Sequence, residues 1–349
     1  MMSEKPLVSV IIPTYNSEKY IRECLDATIS QTYENLEIII VDNLSSDATI
    51  DVCSEYAGRD KRIRIFSNPD VGVSYSRNYG IAHADGDFVV FLDSDDYPER
   101  DMIESYINAD KSWEERKPAF IICGMFFDNE INKNVDTTIS ILEPGYGYIE
   151  GENYLLSRNA VSALSWLKLF NFVTNKFYDL KLIKENDLRF DERINIGEDL
   201  EFNLDYLDVC DGDLGMINRP LYHYIKRVSN SLSLTYHDSD LEDTKKIYER
   251  LIAWEEKQKH VTEDNILVLK AMYITDWISR ITTYYEHFRG TDKLRKHIIR
   301  AELSSPKFKK MLMEVYKAKK IGRIRYLCLR TGRYEVFYFV RSIYQIMKG

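Results

Sequence analysis

Four short apolar runs recur at the start of the chain, the first ended by Pro13 and the others by a polar or acidic residue: LVSVII (7–12), LEIIIVD (36–42), IRIFSN (63–68) and FVVFLD (88–93). They are rich in β-branched residues and do not alternate with polar ones. Such runs become strands covered on both faces. Between them the apolar spacing is helical. In SEKYIRECLDATISQT apolar residues fall at 21, 24, 25 and 28 or 29, and Ser17 reads as the N-cap. Residues 47–57 and 74–84 also read as helices. Strands that alternate with helices predict an α/β sheet of mainly parallel strands, with ligands beyond the carboxyl ends. Asp42 and Asp93 stand at two of those ends.

After residue 100 the pattern loosens. FIICGMFFDN (120–129) reads as a strand and 131–150 as a hairpin or loop with PGYGY as turn chemistry. Residues 152–173 read as helix, 196–210 as a helix preceded by Gly197, and LYHYIK (221–226) as a short strand. From about 240 the chain reads as amphipathic helix almost to the end. A length of 349 residues exceeds what one core usually organises. The expected division is 1–235 for a ligand-binding domain, with halves at about 6–100 and 100–235, and 236–349 for a helical extension. The five cysteines (24, 53, 123, 210, 328) are scattered without a CxxC pair, which suggests neither a disulfide framework nor a zinc site. With no leader-like start and no apolar window of spanning length, a cytoplasmic setting is expected.

The chemistry concentrates in DSDD (93–96), three carboxylates within four residues at the mouth of a strand. Like charges that close repel unless they face solvent or a cation sits among them. No GxGxxG or GxxxxGK[ST] follows the first strand, which disfavours a dinucleotide fold and a P-loop. A divalent cation held by acids is another way to bind phosphates. The plainer reading is an acidic turn before a helix.

The segment PLVSVIIPTYNSEKYIRECLDATISQTYENLEIIIVDNLSSDAT resembles the start of a family 2 inverting glycosyltransferase with the GT-A fold. The resemblance continues through NPDVGVSYSRNYGIAHADGDFVVFLDSDD, NKFYDLKLI and RFDERINIGEDLEFN, in the family's order, over roughly residues 6–235. It implies a mixed Rossmann-like sheet flanked by helices and a UDP-sugar donor. It implies that Asp42 meets the uracil ring and that Pro13, Thr14 and Tyr15 lie against the nucleoside. Asn43 and Leu44 depart from the family's DDGSTD, where an acid and a glycine stand. Arg77, in a G-x-x-x-x-R-N pattern, is implied to be a donor-site cation; the alternative is a pairing with Asp42 that holds the sheet edge. Asp93, Ser94 and Asp95 match the DxD motif, with Mn²⁺ or Mg²⁺ on Asp95 and with Asp93 supporting the metal and touching ribose. Asp96 is expected to position water or cap the following helix.

Glu198 and Asp199 match the family's ED motif, which makes Asp199 the general base ahead of Glu198. On spacing alone they read as helix N-terminal acids complementing the dipole. Arg227 and Ser231 are candidates for a lid over the phosphates. His223 is a candidate metal ligand or a structural histidine. The 25 tyrosines, with Trp166 and Phe172, fit sugar stacking or ordinary packing.

Residues 306–349 hold twelve Lys or Arg and two Glu in a chain of net charge −9. Apolar residues at 308, 311, 312, 315, 321, 324 and 327 or 328 follow a helical spacing. Such a helix suits an anionic membrane interface, at the inner face of the cell membrane; the rival is that the stripe packs on protein. Nucleic acid has no other support. The expected activity is sugar transfer to a lipid-linked glycan of a capsule, exopolysaccharide or lipopolysaccharide. A homodimer, a protein or small-molecule acceptor, and a GT-A-like binding protein without turnover stay open.

Overall fold

The computed structural model describes residues 5–113, 116–131, 134–142, 153–227, 239–287, 290–332, 334–336 and 338. The chain falls into two compact units, Met1–Leu232 and Ser233–Gly349.

The first unit carries strands β1 (Val8–Thr14), β2 (Leu36–Asp42), β3 (Ile63–Ser67), β4 (Phe88–Phe91), β5 (Tyr97–Pro98), β6 (Ile121–Ile131), β7 (Asn134–Ser140), β8 (Asn153–Leu156), β9 (Lys176–Asp179) and β10 (Leu214–Arg227). Its helices are α1 (Ile21–Ile29), α2 (Thr49–Arg59), α3 (Val73–His83), α4 (Met102–Ser112), α5 (Val161–Trp166), α6 (Leu180–Glu185) and α7 (Glu198–Val209). The sheet runs β3-β2-β1-β4-β9-β6-β10-β5, with β7 on β6 and β8 on β10. The pairs β1–β2, β1–β4 and β2–β3 are parallel. Every residue of β1 and β2 is buried, as unalternating apolar runs require. Register places Thr14, Asp42 and Ser67 side by side, so three carboxyl ends open onto one edge.

β9 then enters antiparallel between β4 and β6, and the sheet becomes mixed. Buried aromatics dock α7 over this junction. Phe190 stacks on Phe202 at 4.2 Å, and Phe202 lies edge-on to Phe91 and Tyr178. Burying one such ring contributes roughly 1.5–3 kcal/mol. This packing carries the start of α7 to the mouth of β4.

Two local expectations are corrected. Residues 152–173 are not one helix: Asn153–Leu156 is a strand paired antiparallel with Leu214–Ile217, followed by a 3₁₀ turn and the short α5. Tyr154 and Leu156 are buried with a period of two, a signal that a helical reading overrode. Ser17 does not cap α1, which begins at Ile21 after Tyr20. Its backbone N–H donates to Thr49 Oγ1 and its hydroxyl pairs with Ser94. At 131–150, read as a hairpin or loop, β7 turns back antiparallel on β6 as a hairpin arm, and residues 143–152 lie outside the described ones.

The second unit is helical: α8 (Asp240–Glu256), α9 (Glu263–His287), α10 (Asp292–Ser304), α11 (Pro306–Lys317) and α12 (Arg323–Arg330). Ser305 caps α11 by accepting the Phe308 N–H, with Pro306 in the first turn. Phe308, Met311, Leu312 and Val315 are all buried, and Phe308 packs on Trp277 at 5.0 Å. The α11 stripe read as a membrane face is therefore core, which is the packing alternative. On α12, Ile324 and Leu327 remain exposed. No described helix is long and apolar enough to cross a membrane.

Candidate active site

The DSDD stretch follows β4, and its four residues go to four different places. Asp96 is almost wholly buried and is held by β10: its Oδ2 accepts from Tyr222 (2.9 Å) and its Oδ1 from the Ile225 N–H (2.7 Å). It neither faces solvent nor caps α4. Burial first, then Asp95 and Asp93, push its carboxyl well above the ordinary range. Ser94 is buried against Ser17, with their hydroxyls 2.7 Å apart. Asp95 projects its carboxylate outward, with its side chain 45% exposed. Burial and then Asp93 raise it, while Arg227 lowers it. Asp93 turns inward, and its Oδ1 accepts from Arg77 at 3.0 Å.

Arg77, on α3, is the hub. Its guanidinium is almost completely buried and bridges elements distant in sequence. One terminal nitrogen donates to Asp93; the other donates to Asp199 Oδ1 at 2.6 Å and lies 3.5 Å from Glu198. Its flat face covers Phe190 at 5.2 Å. Burial opposes the charge, but Asp199, Asp93 and Glu198 outweigh it and hold Arg77 above the usual arginine range. The pairing with Asp42 is not formed.

Glu198 and Asp199 open α7 after Gly197, whose φ of 90° is left-handed. Asp199 Oδ2 accepts the Val173 N–H at 3.1 Å, so each of its oxygens has one fixed donor. Burial raises its proton affinity against the pull of Arg77. Glu198 is pushed up to about 7, first by burial and then by Asp199.

At the carboxyl edge of β1–β3, Asp42 is buried. Its Oδ2 accepts the Ser45 N–H at 3.1 Å, and its Oδ1 has no partner. Thr14 Oγ1, its neighbour in register, is also buried and unpartnered. Such orphans cost free energy unless a ligand fills them. Pro13 is buried and Tyr15 half exposed. Leu44 takes a left-handed φ of 62°, keeping the conformation a glycine would supply. Asn43 ties two loops: its amide donates to the carbonyls of Asn68 (3.3 Å) and Asp70 (2.5 Å), and its Oδ1 accepts the Gly72 N–H at 2.7 Å.

Arg227, at the end of β10, is buried over Tyr20 at 4.0 Å. It donates to the Asp95 carbonyl at 2.5 Å and sits 3.4 Å from its carboxylate. Ser231 lies outside the described residues. His223 is stacked between Tyr97 and Phe126, and its two ring nitrogens lie 2.7 Å from Asp128 and 2.9 Å from Glu99. With both nitrogens engaged it is structural rather than a ligand. Phe172 forms a half-buried triangle with Phe127 and Tyr224, and Trp166 is exposed. Sequence reading missed Lys176, a wholly buried ammonium beside this site. Its signal was a lone lysine at the start of the apolar strand KFYD.

A family model described as Glycosyl transferase family 2 matches residues 9–177. The putative glycosyltransferase EpsH of Bacillus subtilis (strain 168) is 30% identical over 266 residues, which is 74% of this chain and 72% of that protein. The chain belongs to glycosyl transferase family 2. As a family member it is a glycosyltransferase. A dolichyl N-acetyl-α-D-glucosaminyl phosphate 3-β-D-2,3-diacetamido-2,3-dideoxy-β-D-glucuronosyltransferase of Methanococcus voltae is 32% identical over 201 residues, 56% of this chain and 60% of its own length. Among solved structures, S. aureus TarS 1–349 in complex with UDP-GlcNAc superposes with a TM-score of 0.62 at 21% identity, covering 97% of this chain and 91% of that one. That likeness shows the GT-A type of fold with a helical C-terminal region.

Proposed function

We propose that this family 2 glycosyltransferase is an inverting, metal-dependent enzyme. It moves a hexose or N-acetylhexosamine from a UDP-sugar to a hydroxyl of a glycan, lipid-linked in the synthesis of a bacterial capsule, exopolysaccharide or lipopolysaccharide. Residues 1–235 form the catalytic domain in this reading, and 236–349 the accessory helical region. The observation that carries it is the Arg77 bridge between the DxD acid Asp93 and Asp199, which are 106 positions apart in the chain. The orphaned Asp42 Oδ1 and Thr14 Oγ1 support a nucleoside at the carboxyl edge, where a base N–H and a ribose hydroxyl would satisfy them.

Asp95 and Asp93 would hold the cation. Among the described residues no group of three His, Cys, Asp or Glu could bind one alone. One or two carboxylates completed by diphosphate oxygens and water is the usual arrangement for Mg²⁺ and suits this donor set. When bound, such a cation neutralises charge on the departing diphosphate. Asp199 accepts the proton of the acceptor hydroxyl as that oxygen bonds to the anomeric carbon and the carbon–oxygen bond to UDP breaks. Arg77 and the Val173 N–H fix the carboxylate's orientation, leaving a lone pair for the incoming proton. Glu198 keeps only the longer contact to Arg77, at 3.5 Å, and in this reading balances its charge.

Calorimetric titration with UDP, with Mn²⁺ and then with EDTA, tests the donor site. Metal-dependent binding that Asp95→Ala abolishes and Asp199→Asn retains is expected. Absence of UDP binding under either condition overturns the donor. Release of UDP from a panel of UDP-sugars should be lost in Asp199→Asn; undiminished release overturns the base.

A further inference from the structure

The segment Leu169–Asn175, between α5 and β9, is gripped by three wholly buried side chains. Lys176 Nζ donates to the carbonyls of Leu169 (3.0 Å) and Phe172 and to Asn175 Oδ1 (3.0 Å). Asn203, one turn beyond Asp199 on α7, donates to the carbonyls of Phe170 (2.7 Å) and Phe172 (3.2 Å), and its Oδ1 accepts from Tyr178 at 2.5 Å. Asn175 donates to the carbonyls of Leu169 and Cys123, each at 3.0 Å.

One peptide collects these donors. The Phe172–Val173 carbonyl takes both Lys176 and Asn203, and the N–H of the same peptide donates to Asp199 Oδ2. A peptide is conjugated, so a cation on its oxygen makes its N–H a stronger donor. We infer that Lys176 and Asn203 are positioning residues: they hold the Phe172–Val173 peptide by its carbonyl and, through its N–H, set the orientation and proton affinity of Asp199. This rests on the reading of Asp199 as the base.

An ammonium is an expensive way to hold a loop, since burying one costs several kcal/mol and amides could bind the same carbonyls. Burial pushes Lys176 down to about 7, against the pull of Asp199 and Cys123. Lys176 and Asp199 share no direct hydrogen bond among the described contacts, and the Phe172–Val173 peptide is what joins them.

The test reads the Asp199 carboxyl itself. Infrared titration of the full chain, taken as the difference from Asp199→Asn, gives its protonation midpoint without any substrate. In Lys176→Met the midpoint should rise by about one pH unit, because the anion loses both its polarised donor and a nearby positive charge. Asn203→Ala should shift it the same way by less, and serves where Lys176→Met does not fold. Asn203→Ala removes no charge, so an unmoved midpoint in that folded variant overturns the relay. UDP release by Asp199→Asn separates the two readings. Lost release with unmoved midpoints keeps the base and discards the relay. Undiminished release with shifted midpoints keeps the coupling and discards the base.

Discussion

Arg77 is buried among three carboxylates, and its removal leaves largely buried charges without their counter-ion. Arg77→Gln should destabilise the fold by about 3–5 kcal/mol at neutral pH, the usual cost of breaking a buried pair. The loss should shrink as pH falls and Glu198 and Asp199, both raised by burial, take protons. Urea midpoints at two pH values check both parts. Glu198 behaves differently. Its folded-state value of about 7 lies above the ordinary 4.5 for a glutamate. Between those values the folded state binds the extra proton, so its contribution to stability falls as pH rises through that window. Glu198→Gln should therefore be more stable than the parent above pH ~7, with the difference vanishing toward pH ~4.5. A difference that persists at the acid end would contradict the burial account.

The elements around the site are held by side chains that sequence patterns treat as loop filler. Asn43 departs from the family's acid, and the structure gives the change a use. Its amide donates to the Asn68 and Asp70 carbonyls and so fixes the approach to α3, which carries Arg77. Restoring the acid, Asn43→Asp, faces a carboxylate with those carbonyls and should cost about 1–3 kcal/mol. Thermal melting would show it, and a neutral outcome would mean that the loop rearranges. Gly72 beside it has φ 136° and ψ 151°, a region essentially closed to other residues. The break at 152–173 belongs to the same level. Four residues chose to extend because β10 offered an open edge, and local helical spacing could not register that partner.

For the molecule as a whole, the basic helical region is the part whose role changed most. Its α11 stripe is consumed by Trp277 and the other helices, so any contact with anionic lipid falls to the basic residues and to exposed Ile324 and Leu327 on α12. We propose that face as the membrane contact. Replacing both with glutamate should release the protein from phosphatidylserine vesicles in a sedimentation assay, while phosphatidylcholine vesicles bind neither form. Unchanged sedimentation would return the basic residues to solvated surface.

Residue order alone sufficed for the parallel half of the sheet, because β1, β2 and β4 are buried on both faces and their apolar runs carry no competing period. It also sufficed for the family, through motifs kept in sequence along the chain. It could not say which acid of DSDD faces outward. That depends on β10 reaching back to take Asp96 and on α3 delivering Arg77 to Asp93. Nor could it join Asp93 to Asp199 or seat Lys176 behind the Phe172–Val173 peptide. Those are long-range pairings of buried polar groups. Their partners become fixed only when the aromatic packing of α7 on β4 and β9 excludes water, and unpaired charges then become too costly to leave.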